Sequence, residues 1–182
     1  MTGGEGADTI TGGLGNDNIN LAETVAAADR VVFANTAANN GVDAITGFTT
    51  GTGGDVLDFS LFLGGATALR AVDTINPVAA AVLTDNTVAF LVDISGGNDI
   101  STVAGLTAAL AAGGEFANID ATNAVAQYVF LTAASATATT FNVFFATSAV
   151  GGGGAFATVD LVGTVTATGA LSTIVAANAV GA

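Results

Sequence analysis

Large apolar residues are few over the first sixty positions and recur at intervals among polar, alanine and glycine neighbours, Val31 to Phe33 being the longest run. A large aliphatic residue follows an aspartate by two positions five times: Asp8 and Ile10, Asp17 and Ile19, Asp29 and Val31, Asp43 and Ile45, Asp55 and Leu57. A lone apolar residue between polar ones reads as the single inward side chain of a very short strand. The aspartates are spaced first by nine residues and then by twelve to fourteen, with "NTAANN" and "TTGTGG" bulging between the later strands.

After Gly64 and Gly65 the pattern changes to longer Ala, Val and Thr-rich runs. "NTVAFLVD", "AVAQYVFLTA", "TTFNVFFATS" and "FATVDLVGTV" are rich in β-branched and aromatic residues and bounded by Gly, Asn or Asp, which predicts strands. Unbroken apolar stretches within them predict burial on both faces, or on one face against a partner subunit. In "DISTVAGLTAALAAGG", Ser101 or Thr102 can cap a short helix that Gly113 and Gly114 end. The expected fold is all-β with one short helix: strands and turns over residues 1–63, then a β-rich domain over 64–182, built as a sandwich or an extended roll. Gly151 to Gly154 reads as a hairpin connection, since no lysine and no following helix make it a phosphate loop.

The first eighteen of these residues add chemistry to the pattern. Gly3, Gly4, Gly6, Asp8 and Ile10 recur nine positions later as Gly12, Gly13, Gly15, Asp17 and Ile19. Three glycines per unit let a half-turn point successive carbonyls inward, and the aspartate adds an anionic oxygen. A plain hairpin turn needs one or two glycines. Oxygen donors alone suit Ca²⁺, which takes 6–8 of them in flexible geometry, better than Mg²⁺, which holds strict octahedral geometry and its waters. The candidate ligands are Gly4, Gly6, Asp8, Gly13, Gly15 and Asp17, extended by Asp29, Asp43 and Asp55. For those last three, an aspartate that merely caps a turn before a strand remains an equal reading. Asp93 and Asp99 around "ISGGN" form a further candidate oxygen loop.

The two units fit G-G-x-G-x-D-x-(apolar)-x and resemble the RTX repeat, a calcium-binding parallel β-helix. "DAITGF" and "DVLDFS" resemble the strands that close the roll in RTX exoproteins. The resemblance covers about the first third of the chain. It implies a parallel β-roll in which two nonapeptides make one turn and an ion is shared by loops eighteen residues apart. Counting eighteen from Gly3 reaches Leu21, where "LAETVA" departs from the pattern. The perfect loops are therefore expected to take ligands from an upstream repeat or a neighbouring molecule. The nearly uncharged last fifty residues resemble the uncleaved signals that RTX exoproteins present to type I secretion machinery, although core and hairpin strands would have the same composition.

Charge narrows the function classes. The 182 residues contain 15 Asp and Glu against two basic residues, Arg30 and Arg70, a formal charge of −13. Nucleic acid and anionic membrane surfaces are poor partners for such a chain. Without Cys or His there is no disulfide, zinc site or histidine-dependent triad. Asp55 and Asp58 would face opposite sides of a strand, so no general acid and base pair is formed. No enzyme activity is expected. Charged residues are 9% of the chain, leaving a neutral surface compatible with packing against copies of itself. No basic and apolar leader and no long apolar run is visible, so an export signal would lie elsewhere and a membrane span is not expected; with the RTX resemblance, the expectation is a secreted, calcium-binding structural or surface protein that folds and self-associates outside the cell. The alternative is the folding and export terminus of a larger secreted enzyme or adhesin.

Overall fold

In the computed structural model of the chain, residues 1–64, 68–69, 81–83, 86–93, 97–117, 119–121, 126–149 and 156–180 are described. The first five strands are β1 (Thr9–Thr11), β2 (Asn18–Asn20), β3 (Arg30–Val32), β4 (Asp43–Phe48) and β5 (Val56–Asp58). They alternate between two sheets, so the chain winds as a flattened coil. One sheet has the order β1-β3-β5-β13, with β13 at Ala179–Val180, and all its pairings are parallel. The winding follows from the sequence pattern. A three-residue strand with one inward side chain cannot stand alone, because burying one aliphatic side chain gives only about 1.5–3 kcal/mol. Stacking such strands in register gives a continuous apolar column. Ile10, Val31, Leu57 and Ala179 form one column, and Ile19, Ile45, Val165 and Phe141 the facing one.

The second sheet is larger and mixed, in the order β2-β4-β12-β11-β10-β8-β6. Its later members are β6 (Ala68–Leu69), β8 (Thr87–Val92), β10 (Gln127–Ala133), β11 (Thr140–Ser148) and β12 (Phe156–Ala167). The pairings β2·β4, β4·β12, β10·β8 and β8·β6 are parallel, whereas β12·β11 and β11·β10 are antiparallel. A two-stranded parallel sheet joins β7 (Ala81–Leu83) to β9 (Ile119–Ala121). Both large sheets run across residue 63, with β4 paired to β12 and β5 to β13.

Two apolar cores flank the large sheet, as the unbroken apolar runs require. Val88, Phe90, Val129, Leu131, Val143 and Phe145 face the coil, and Phe62 stacks on Phe145 at 3.8 Å between ring centres. Ala89, Leu91, Tyr128, Phe130 and Phe144 face the other way, toward Leu106, Ala109 and Leu110 of helix α3 (Val103–Leu110). The Thr102 side chain caps α3 by accepting from Gly105 N–H.

The all-β expectation holds in outline, but more helix is present than the one segment expected. α1 (Ala37–Asn40) and α2 (Ser60–Leu63) follow β3 and β5, and 3-10 turns span Leu171–Thr173 and Ala176–Asn178. α1 lies within the "NTAANN" bulge, where Thr36 accepts from Asn39 N–H at 3.2 Å and supplies the cap that a four-residue turn needs. Gly151 to Gly154 and residues 94–96 of the Asp93 loop lie outside the described residues. Among the described residues, no helix is long and apolar enough to cross a membrane.

Candidate metal centre

Each candidate aspartate sits at the entry to a coil strand, and strand register therefore stacks them. The pairs Thr9↔Arg30 and Arg30↔Val56 place Asp8, Asp29 and Asp55 in one column; Asn18↔Ala44 places Asp17 above Asp43. Within the columns the contacts interlock. Asp8 N–H donates to Asp29 Oδ1 at 2.9 Å, Asp29 N–H to Asp55 Oδ1 at 2.9 Å, and Asp17 N–H to Asp43 Oδ1 at 3.0 Å. In return, Arg30, Ala44 and Val56 donate their N–H groups to the carbonyls of Asp8, Asp17 and Asp29. The carboxylates of Asp29, Asp43 and Asp55 thus fix the coil before them, a role beyond capping their own turns.

The second carboxylate oxygens have a different environment. Asp17 Oδ2 and Asp29 Oδ2 are buried without a hydrogen-bond partner. A methyl placed on Gly12 would lie 2.9 Å from Asp17 Oδ2 and 3.1 Å from Asp43 Oδ2. One on Gly3 would lie 3.0 Å from Asp29 Oδ2 and 3.5 Å from Asp8 Oδ2. At both places two carboxylate oxygens from adjacent coils close on a space kept free by a missing side chain. Leaving a buried acceptor unpaired costs about 1–3 kcal/mol, more when it is charged. A hard cation is the partner such a set of oxygens fits.

Electrostatics agree with the geometry. Burial pushes the Asp29 carboxyl above its ordinary range, assisted by repulsion from Glu23 and Asp8 and opposed by Asp8 N–H. Burial also raises Asp43, against the N–H of Asp17, with Asp17 repelling it and the Asn40 amide holding it down. Asp55 is raised mainly by burial, against hydrogen bonds from Thr49 and Asp29. Asp58 goes the other way: burial works upward, but Ser60 and Arg30 outweigh it, the Arg30 Nη1 to Asp58 Oδ2 pair measuring 2.7 Å.

The remaining candidates divide by position. Gly4, Gly6, Gly13 and Gly15 all have positive φ, from 91° to 109°, which places the half-turns in backbone space that favours glycine. Asp55 stands apart from the two paired sites, since Thr49 N–H takes its Oδ2 at 2.7 Å and Asp29 N–H its Oδ1. Asp99 accepts from Ser101 N–H and Oγ ahead of α3. The partners of Asp8 and Asp17 are the decayed units at Asp29 and Asp43, reached by longer turns than the eighteen residues expected. Two carboxylates therefore meet at each site without an upstream repeat or a neighbouring molecule.

Reading the sequence missed three contributors. Gly3 and Gly12 open each nonapeptide, and their place in the repeat was the available signal. Asn40 had none: its buried amide donates to Asp43 Oδ2 at 3.1 Å and to Val162 O at 3.0 Å, tying the lower aspartate to β12. Among the described residues, no group of three or more acidic side chains is gathered as a metal site, so each carboxylate pair would need backbone carbonyls or water to complete a coordination shell. The chain matches no protein-family model, and comparison with characterised proteins and with solved structures returns no match.

Proposed function

We propose that this chain is a calcium-binding structural protein of the extracellular space, with an RTX-like parallel roll that is completed when Ca²⁺ enters between successive coils. One observation carries the reading. The oxygens of Asp8 and Asp29, and of Asp17 and Asp43, close on the bare α-carbons of Gly3 and Gly12, and one oxygen of each pair is buried and unpartnered. Glycine, acidic oxygen and carbonyl donors fit Ca²⁺, and no residue type here offers nitrogen or sulfur ligation of zinc.

The role of the protein in that reading is to hold carboxylates close before the ion arrives. Two carboxylates about 4 Å apart repel by about 1 kcal/mol in water and by more where water is excluded. The stacked N–H donors and the apolar columns keep the pairs together against that repulsion. Bound cation removes it, and its binding energy becomes folding energy. Millimolar calcium outside cells then acts as the folding signal, and the role assigned is structural rather than catalytic.

Self-association belongs to the same proposal. β1 is the outer strand of one sheet, whereas the outer side of β2, at the same end of the coil, is already bridged by Thr2. Strand edges pair readily with further strands. Here β1 is flanked by the half-turn of Asp8, so a coil from another copy would both extend that sheet and share calcium.

A second reading has its own observation. β12 and β13 pair with β4 and β5, so the C-terminal strands extend both sheets on the side away from β1 and β2. A folding and export module at the end of a larger enzyme or adhesin, delivered by type I secretion machinery, would be built this way. Size-exclusion chromatography with light scattering, run in millimolar Ca²⁺ and again in chelator, tests the main reading. Compaction followed by higher mass in calcium is expected; an identical compact monomer in both buffers overturns calcium switching and self-association together.

A further inference from the structure

Asn40 ends α1 with only 2% of its surface exposed, and both ends of its amide are engaged. Oδ1 accepts from Ala34 N–H at 2.9 Å, while Nδ2 donates to Asp43 Oδ2 at 3.1 Å and to Val162 O at 3.0 Å, with Gly41 O at 3.3 Å. The Ala34 donor fixes which way the amide is turned, because only the carbonyl oxygen can face an N–H group. The two amide hydrogens are thereby directed at the carboxylate and at β12.

The point that Asn40 reaches on β12 is irregular. β11 and β12 pair Val143 with Gly163 and Phe144 with Leu161, so Val162 is an extra residue with no opposite number on β11. Such a bulge locally disrupts the ladder, and this one lies beside the candidate site because Gly163 pairs with Asp43 on β4. The two carboxylate pairs therefore differ. Asp43 is held at both oxygens, by Asp17 N–H on Oδ1 and by Asn40 on Oδ2. Asp29, its counterpart in the other pair, has Asp8 N–H on Oδ1 and no partner on Oδ2. A carboxylate has about four acceptor sites, so the Asn40 bond leaves Asp43 Oδ2 able to meet an ion. A second buried asparagine offers a contrast: Asn178 is 0% exposed, but its amide donates only to the main-chain oxygens of Gly51 and Asp55.

We propose that Asn40 is a positioning residue for calcium at the Asp17 and Asp43 pair, holding Asp43 Oδ2 at the gap left by Gly12 and tying that carboxylate to the bulge of β12. The inference rests on the calcium-binding reading above and adds to it a residue that the repeat pattern does not contain. Hydrogen-bonding partners behind a metal ligand fix its orientation, and removing one weakens metal binding by about 10–100-fold. The loss falls on one site, since the bonds of Asn40 reach Asp43 and not Asp29.

The test is a calcium titration of the full chain by isothermal calorimetry, comparing wild type with Asn40→Ala and Asn178→Ala. In Asn40→Ala one ion is expected to bind about 10–100-fold more weakly, with binding elsewhere unchanged. Asn178→Ala should melt at a lower temperature yet keep every calcium affinity, which separates positioning of a ligand from support of the fold. A second measurement on the wild-type protein avoids any folding defect in the variants: the Asn40 side-chain amide signal, followed by ¹⁵N NMR, shifts as Ca²⁺ is added. Unchanged calcium binding in Asn40→Ala, the same loss in Asn178→Ala, or an Asn40 amide signal that calcium does not move overturns this inference. A wild-type chain that binds no calcium overturns the underlying reading instead.

Discussion

Gly12→Ala separates the metal site from the fold. The added methyl would sit 2.9 Å from Asp17 Oδ2 and 3.1 Å from Asp43 Oδ2, within the space an ion bridging both oxygens must use. Gly12 is not among the glycines with positive φ, so alanine is sterically allowed on the backbone. Replacing glycine at such a position stabilises by about 0.4–1 kcal/mol through the unfolded chain, which offsets a small displacement of two carboxylate ends. In chelator the variant should therefore melt within a few degrees of wild type. In calcium the two diverge. An ion present at a hundred times its dissociation constant adds about 2.7 kcal/mol per site, which at about 2–4 °C per kcal/mol for a chain of this length is about 5–11 °C. Differential scanning calorimetry in chelator and in calcium measures both terms. Gly12→Ala loses one site's share of the calcium shift, whereas Gly13→Ala, at φ 91° with no atom within 4 Å, costs about 1–2 kcal/mol in both buffers. A full calcium shift in Gly12→Ala would refute the placement of the ion between Asp17 and Asp43.

Three further outcomes follow from other parts of the molecule. Burial raises the folded-state pKa of Asp29, so its ionisation costs stability: its contribution is full below the unfolded value of about 3.9 and is lost as pH rises through the folded value. In chelator, Asp29→Asn should melt above wild type at pH 7 and lose that advantage toward pH 4; an advantage that grows on acidification contradicts the argument. Arg30→Ala removes a 2.7 Å pair with Asp58 in which the arginine is 42% and the aspartate 11% exposed, and a loss of about 1 kcal/mol in urea titration is expected, with no change in bound calcium. Gly41→Ala places a methyl 2.3 Å from the carbonyl oxygen of Gly15 at φ 77°, and it should lower the melting temperature by several degrees whether or not calcium is present.

The repeat was legible because its chemistry is local. Three glycines and an aspartate at fixed offsets specify a half-turn with inward oxygens, and one aliphatic residue two positions on specifies one inward side chain. The long strands and α3 were legible for a similar reason, since an unbroken apolar run or a Thr102 cap needs no distant partner to be recognised. Asn40 was not legible. An asparagine in a polar bulge looks like a surface residue until the chain returns beside it.

Taken alone, the sequence determined the five short coil strands, the four longest strands beyond them, the acidic half-turns and the exclusion of nitrogen and sulfur ligation, all properties of residues within a few positions of each other. Tertiary structure decided which half-turns share a site. Insertions lengthened the coils, so Asp8 meets Asp29 and Asp17 meets Asp43 at separations the nonapeptide period does not contain, and only the register of parallel strands fixes those pairs. It also decided that strands from the far end of the chain, β12 and β13, extend both sheets. Parallel pairing is set by matching columns of buried side chains rather than by nearness in sequence, and no local pattern records it.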